Sequence, residues 1–368
     1  MISRWQFTLL INNFLLGTTL FVSIQALIQQ TQQHAWIIPL WNGCLGLIVS
    51  VLWILLMRAH PGKTLAQILQ EVWSRPVGTA IALLYFFHFS SIAGWVLHNM
   101  SDFMNGTIMR DTPKSVFHIM FLIVACYTVA QGAEGVARLN QLVTPFLFLP
   151  FWFVLLLAAT INWNWERFLP VYPNEGWSSL FGNFAMLGYP FMETIALTML
   201  YPYVKRSPGR AMVWGIGMAA VSISAILFMI IGLMGVERAS RLTFPVYTVV
   251  QEVDIGETIV NVQSIISVVL LILIFIKLQV LIYGAHNILQ QMFRPKTQWP
   301  HLLALTILVS ALAVSIYENG VQNGEFIKQY LNLYFSFYGF FLPSLLLLST
   351  WLKNAYRRRN HGNQRRGR

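Results

Sequence analysis

Residues 184–200 read FAMLGYPFMETIALTML. The stretch is apolar enough to sit in a membrane. It carries Gly188-Tyr189-Pro190 at its centre and a carboxylate, Glu193, one turn later. Glycine weakens a helix and proline has no N–H to donate. A break frees backbone groups that lipid cannot satisfy, so it persists only where it is buried in protein or lines a cavity. A carboxylate inside a span is expensive and is a functional candidate by default. The stretch therefore predicts a broken spanning helix at a binding site. The plainer reading is a kink with close packing and a protonated, hydrogen-bonded structural Glu193.

The rest of the chain places this stretch among other spans. Of 368 residues, 56% are hydrophobic and 10% charged, with a mean hydropathy of +0.60. A soluble domain carries about 25% charged residues, so a soluble enzyme is excluded. Ten apolar runs have spanning length or nearly so: Phe7–Ile28, Ala35–Met57, Gly78–Met100, Ser115–Ala130, Gln141–Asn162, Leu180–Val204, Ala211–Leu233, Ile259–Tyr283, His301–Tyr317 and Tyr330–Leu352. The first has no small-residue cleavage site behind it and reads as a retained helix, not a signal peptide. With the N-terminus cytoplasmic, seventeen of the 24 Lys and Arg fall on the cytoplasmic side and six outside. That asymmetry supports ten helices with both ends inside.

Ten helices divide as five plus five, and an odd-numbered half inverts the second half. The expected fold is an all-α polytopic membrane protein, a 5+5 inverted repeat (LeuT-like) with helices 1 and 6 broken. One transmembrane domain, 1–352, holds repeats at about 7–162 and 180–352, and a basic cytoplasmic tail follows at 353–368. Helix 1 offers its small residues Gly17, Thr18 and Thr19 mid-span, after Asn12 and Asn13. Two connectors, Pro61–Trp73 and Leu242–Val253, are either amphipathic interfacial helices or solvated links.

Several segments resemble the spore germination receptor B-subunit family, a branch of the amino acid–polyamine–organocation transporter superfamily. They are HPGKTLAQI (His60–Ile68), Thr112-Pro113, GAEGVARLNQLVTP (Gly132–Pro145), YPFMETI (Tyr189–Ile195), GVERASRLTFPVYTVVQEVDIGE (Gly235–Glu257) and FIKLQVLIYGA (Phe275–Ala285). Helix 1 departs from the family pattern, in which a proline often follows the small-residue segment: Phe21–Ile28 has none. The resemblance implies a nutrient sensor in the inner membrane of a bacterial spore. It also implies two partners, a membrane A subunit and a lipoprotein C subunit, and a germinant that is commonly an amino acid.

A zwitterionic ligand needs donors for its carboxylate and acceptors for its ammonium. Half-helix N-termini and freed carbonyls supply both. The candidate cradle is Gly17, Thr18 and Thr19 with Gly188, Tyr189, Pro190 and Phe191; ordinary packing by small residues is the alternative. Glu193 binds the ammonium, carries a proton or pairs with a base. Lys277, the one basic residue well inside a span, either snorkels or, as the resemblance implies, stands in for a sodium ion often held between helices 1 and 8 of this superfamily. Helix 3 carries His88, Ser91, Trp95, His98 and Asp102 on one face. His88 and Ser91 lie deepest there, and His98 and Asp102 are expected to form a rim pair. Cys44 and Cys126 read as small core residues. No Walker loop, GxSxG or CxxC occurs, and no histidine has metal-ligand spacing, so neither catalysis, a metal nor a cofactor is expected. The Arg-rich tail reads as a topology determinant near anionic lipid and not as a nucleic-acid arm. The favoured function is a germinant-sensing subunit of a receptor; the alternative is a proton-coupled amino acid transporter.

Overall fold

Helix starts follow from local chemistry. Ser3 caps α1 (Arg4–Thr31) and Thr64 caps α3 (Leu65–Val72), each through a reciprocal exchange with the Gln three residues on. That exchange satisfies two orphan N–H groups at each start. Proline opens α4 (Arg75–Phe103) and α8 (Pro208–Met234), where its missing N–H costs nothing.

The computed structural model describes residues 1–172, 176–251, 262–294, 296–315 and 330–366. Outside them lie the start of the eighth expected span (259–261), the end of the ninth (316–317), the end of the outer amphipathic stretch (252–253) and Glu257. The remaining helices are α2 (Ile37–Ala59), α5 (Lys114–Ala130), α6 (Gly132–Asn162), α7 (Gly176–Phe181), α9 (Val236–Ala239), α10 (Pro245–Gln251), α11 (Val262–Phe293), α12 (Trp299–Ser315), α13 (Leu331–Ser336) and α14 (Leu342–Arg366). Among the described residues, seven helical stretches are long and apolar enough to cross a membrane; α5 and α12 are apolar but shorter. The sixth expected span is a broken segment, with a π turn at Leu187–Phe191 running into a tight helix at Met192–Met199.

The core forms around α1, which packs on α8, α11 and α6, and around α11, which packs on α4 and α1. The N-terminus pairs with the chain leaving the broken segment: Ile2 N donates to Tyr203 O at 2.9 Å and Lys205 N to Ile2 O at 3.0 Å. The Met1 amine meets Glu134 at the start of α6, and Lys353 in α14 meets Glu71 in α3. These contacts gather the helix ends on one face, here called the N-terminal face.

Three expectations are corrected. Helix 1 is not broken at Gly17–Thr19: α1 is continuous for 28 residues. With no proline after Gly17, every N–H remains available to the i→i−4 ladder, and glycine permits a break without imposing one. The eighth span does not end at Tyr283 but runs to Phe293, so Lys277 lies near the middle of α11. Cys126 is buried, but Cys44 is exposed on α2.

Candidate functional site

The break in the sixth span has a local cause. Pro190 supplies no N–H, and a residue before proline is pushed out of the helical region. Tyr189 accordingly sits at φ −124°, ψ 118°, inside an otherwise helical path. The strand-like residue leaves the N–H of Gly188 looking for a partner, and Asn332 in α13 supplies one, its Oδ1 3.1 Å away. A Cβ on Gly188 would lie 2.5 Å from that oxygen, so only glycine admits the contact.

Beneath Tyr189 lies a buried charge pair. Lys277 Nζ is 2.6 Å from Glu193 Oε2, and both side chains are 0% exposed. Lys277 also donates to Thr18 Oγ1 at 2.8 Å, and the same hydroxyl hydrogen-bonds the Tyr189 phenol. The ammonium stands 4.5 Å from the Tyr189 ring centre and 5.1 Å from that of Phe14, within cation–π range. Glu193 Oε1 has no hydrogen-bond partner among the described residues. Lys277 therefore does not snorkel. It joins α1, α11 and the broken segment at one point.

The other expected cradle residues divide. Gly17 is a packing residue: a Cβ there would lie 2.9 Å from Lys277 Cβ and 3.1 Å from Leu273 O. Thr18 belongs to the charge cluster. Thr19 turns back to Leu15 O at 2.5 Å within its own helix. Phe191 points away from Lys277 into α2, where its ring fills the notch left by Gly43 and Gly46. Pro190 acts through the backbone. Asn12 and Asn13 staple α1 to α6, with Asn13 Nδ2 at 2.8 Å from Asn140 Oδ1 and 2.9 Å from Thr144 Oγ1.

His88 lies next to the cluster, in an aromatic box. Its ring stacks 3.9 Å from Tyr338 and its Nδ1 is 3.0 Å from the Tyr334 hydroxyl. Tyr338 belongs to a π turn at Phe337–Phe341 between α13 and α14. A π turn leaves carbonyls without their usual i+4 donors. Tyr85 donates to Tyr338 O at 2.7 Å and Trp53 to Gly339 O at 2.6 Å, which closes those gaps. Ser91 is half-buried and takes no part in either network. His98 and Asp102 do form the rim pair, at 3.1 Å, with Lys114 on the other carboxylate oxygen.

A vestibule of about 580 Å³ opens toward the face opposite the N-terminal one and ends on Tyr189 and Asn332. Its walls carry Gln25, Gln29, Gln30, Asn99 and Asn183, with Asp102 among them. Carboxamides both donate and accept, so this wall suits a small polar molecule with groups of both kinds. Sequence reasoning missed Asn332, Phe14 and the glutamine wall. A lone Asn near the start of an apolar run was the available signal for the first; an aromatic in such a run gives none for the second.

The family model described as "Spore germination protein" matches residues 1–323. Spore germination protein KB of Bacillus subtilis (strain 168) is 23% identical over 365 residues, covering 96% of this chain and 95% of that protein. Spore germination protein A2 of the same organism is 21% identical, covering 96% of each. Among solved structures, the nucleobase-cation-symport-1 family transporter Mhp1, closed with bromovinylhydantoin bound, superposes with a TM-score of 0.60. That match has 14% sequence identity and covers 92% of this chain and 75% of Mhp1. The fold is thus that of an inverted-repeat transporter, a multi-pass membrane protein, and the match over residues 1–323 shows that the chain belongs to the spore germination protein family.

Proposed function

We propose that the chain is the nutrient-sensing subunit of a spore germination receptor and that its germinant is an amino acid. The observation that carries this reading is the carboxamide-lined vestibule ending on the broken segment, directly above a buried Glu–Lys pair. An amino acid is a zwitterion. Entering past Asn332, its ammonium would approach the unpartnered Glu193 Oε1 and its carboxylate would compete for Lys277. Tyr189, 1% exposed, is the lid that must turn aside. Binding drives signalling only through tighter binding to the displaced state. The receptor would comprise this subunit with a membrane A subunit and a lipoprotein C subunit, in the spore inner membrane with both termini cytoplasmic.

A proton-coupled amino acid permease is the second reading, favoured by the placement of a carboxylate mid-span. Two measurements separate and test these. Spores carrying Glu193→Gln at normal protein level are expected to lose the response to amino acids; normal response kinetics would remove Glu193 from the site. The isolated wild-type chain in proteoliposomes is expected to show no saturable uptake of labelled amino acids; robust uptake would favour the permease.

A further inference from the structure

Helices α1 and α8 are in close contact, and the side of α8 turned away from that contact is open. At Gly215 a Cβ would lie 2.6 Å from Ile11 Cβ and 2.9 Å from Thr8 O, and Thr8 Oγ1 reaches toward Ala211 O at 3.4 Å. Two residues on, Gly217 faces open space, with nothing within 4 Å of a Cβ. Flanking the contact on that side is a groove of about 910 Å³ walled by Trp5, Trp214, Met218 and Val221, with Arg4 at its mouth. Trp5 and Trp214 are 57% and 64% exposed. Tryptophan at the ends of a lipid-facing surface marks the headgroup level.

The mouth is strongly basic. Arg210, Trp214, Gly217 and Val221 follow at spacings of 4, 3 and 4 and share one face of α8. Arg210 therefore stands one turn above Trp214 on the groove side. The pairing of Ile2 with the chain at Tyr203–Lys205 brings Lys205 and Arg206 to the same corner. Arg4, Lys205, Arg206 and Arg210 are all exposed and make no ion pair among the described residues. Glu134 is occupied by the Met1 amine and Arg138.

We infer that this groove is a binding site for an anionic glycerophospholipid, its phosphate held by Arg4 and Arg210 and one acyl chain laid over Gly217 between Trp5 and Trp214. The apolar floor asks for hydrocarbon, and the four unpaired cations ask for negative charge at its upper end. A zwitterionic lipid brings the same phosphate but cancels it with a quaternary ammonium that the four cations repel. Because juxtamembrane cations act additively near a charged headgroup, each one removed is expected to weaken binding roughly fivefold.

The full-length chain, purified in detergent, is titrated with fluorescent phosphatidylglycerol or phosphatidylcholine. Saturable binding of phosphatidylglycerol is expected, tighter than that of phosphatidylcholine. Arg4→Gln with Arg210→Gln is expected to erase most of that preference. Gly217→Phe starts its side chain in open space and projects a ring into the groove, so it is expected to abolish saturable binding while the thermal unfolding midpoint of the lipid-free protein stays unchanged. Glycerol phosphate, which has the headgroup chemistry without the chain, is expected not to compete at concentrations that saturate the lipid. Equal binding of the two lipids, or wild-type binding by Gly217→Phe, would overturn the site. Cross-linking of Gly217→Cys to a receptor partner's transmembrane helix in native membranes, instead of lipid protection of that thiol, would overturn it too.

Discussion

The Lys277–Glu193 pair concentrates most of what individual residues contribute. Both ends are fully buried, so neither is relieved by water, and removing one partner strands the other. Stranding a buried charge costs about 3–5 kcal/mol, whereas replacing both partners with neutral groups is often close to neutral. Glu193→Gln and Lys277→Met are each expected to lower the thermal unfolding midpoint of the purified chain, measured at one fixed scan rate. The double variant is expected to recover most of the loss. If the double variant falls by the sum of the singles, the two groups are not energetically coupled. Glu193 and Lys277 were each legible in the sequence, because an ionisable group inside a span announces its own cost. Their partnership was not, since it depends on two elements 84 positions apart in sequence meeting at Thr18. Gly17 was legible as special but carries the other meaning of glycine, close approach between helices in place of a freed backbone.

Elements behave differently according to what forbids them. The break in the sixth span was readable because Pro190 removes a donor and disfavours a helical Tyr189 right after a glycine; Pro145 and Pro150, without that neighbour, leave α6 continuous. The break expected in helix 1 had only small residues behind it, and without a proline its ladder closes. The π turn at Phe337–Phe341 left no sequence signature; it exists because Tyr85 and Trp53 reach across from other helices to the carbonyls of Tyr338 and Gly339. Asn332 plays the corresponding part for the sixth span. Asn332→Ala leaves the Gly188 N–H buried without an acceptor, a loss of about 1–3 kcal/mol. Asn332→Asp keeps an acceptor oxygen within reach of that N–H and is expected to retain more of the stability. Hydrogen exchange over 187–191 reads the difference directly: faster exchange in the alanine variant, slower in the aspartate variant. Equal protection in wild type and Asn332→Ala would mean that solvent already serves Gly188.

At the scale of the whole molecule, the vestibule opens on one face while the elements that could report its state are fastened on the other. There Glu71 of α3 receives Lys63 at 2.7 Å and His60 Nδ1 at 3.2 Å, and its backbone carbonyl accepts from Lys353 of α14 at 2.7 Å. His60 Nε2 lies 3.2 Å from Thr350, also in α14. This clasp ties α3 and the end of α2 to α14, whose π turn supports the aromatic box around His88. Its pH dependence follows from two groups. The Lys63 hydrogen bond holds the Glu71 carboxyl below its ordinary 4.5. A carboxylate with a depressed folded pKa contributes stability that is fully present above its unfolded value and lost as pH falls through the folded one. Burial holds His60 below its ordinary 6.5 against the pull of Glu71. The unfolded chain therefore binds the His60 proton first, and stability starts to fall as pH drops below about 6.5. The clasp should loosen in two acid steps, one below about 6.5 and a second below about 4.5. His60→Gln is expected to remove the upper step and Glu71→Gln the lower, both read as hydrogen exchange of α3 against pH. Glu71→Gln also takes away the charge that raised the folded His60 pKa, so its upper step is expected to begin at the same pH and to extend to lower pH. A wild-type profile flat from pH 7 to 4 would show that this clasp does not hold α3.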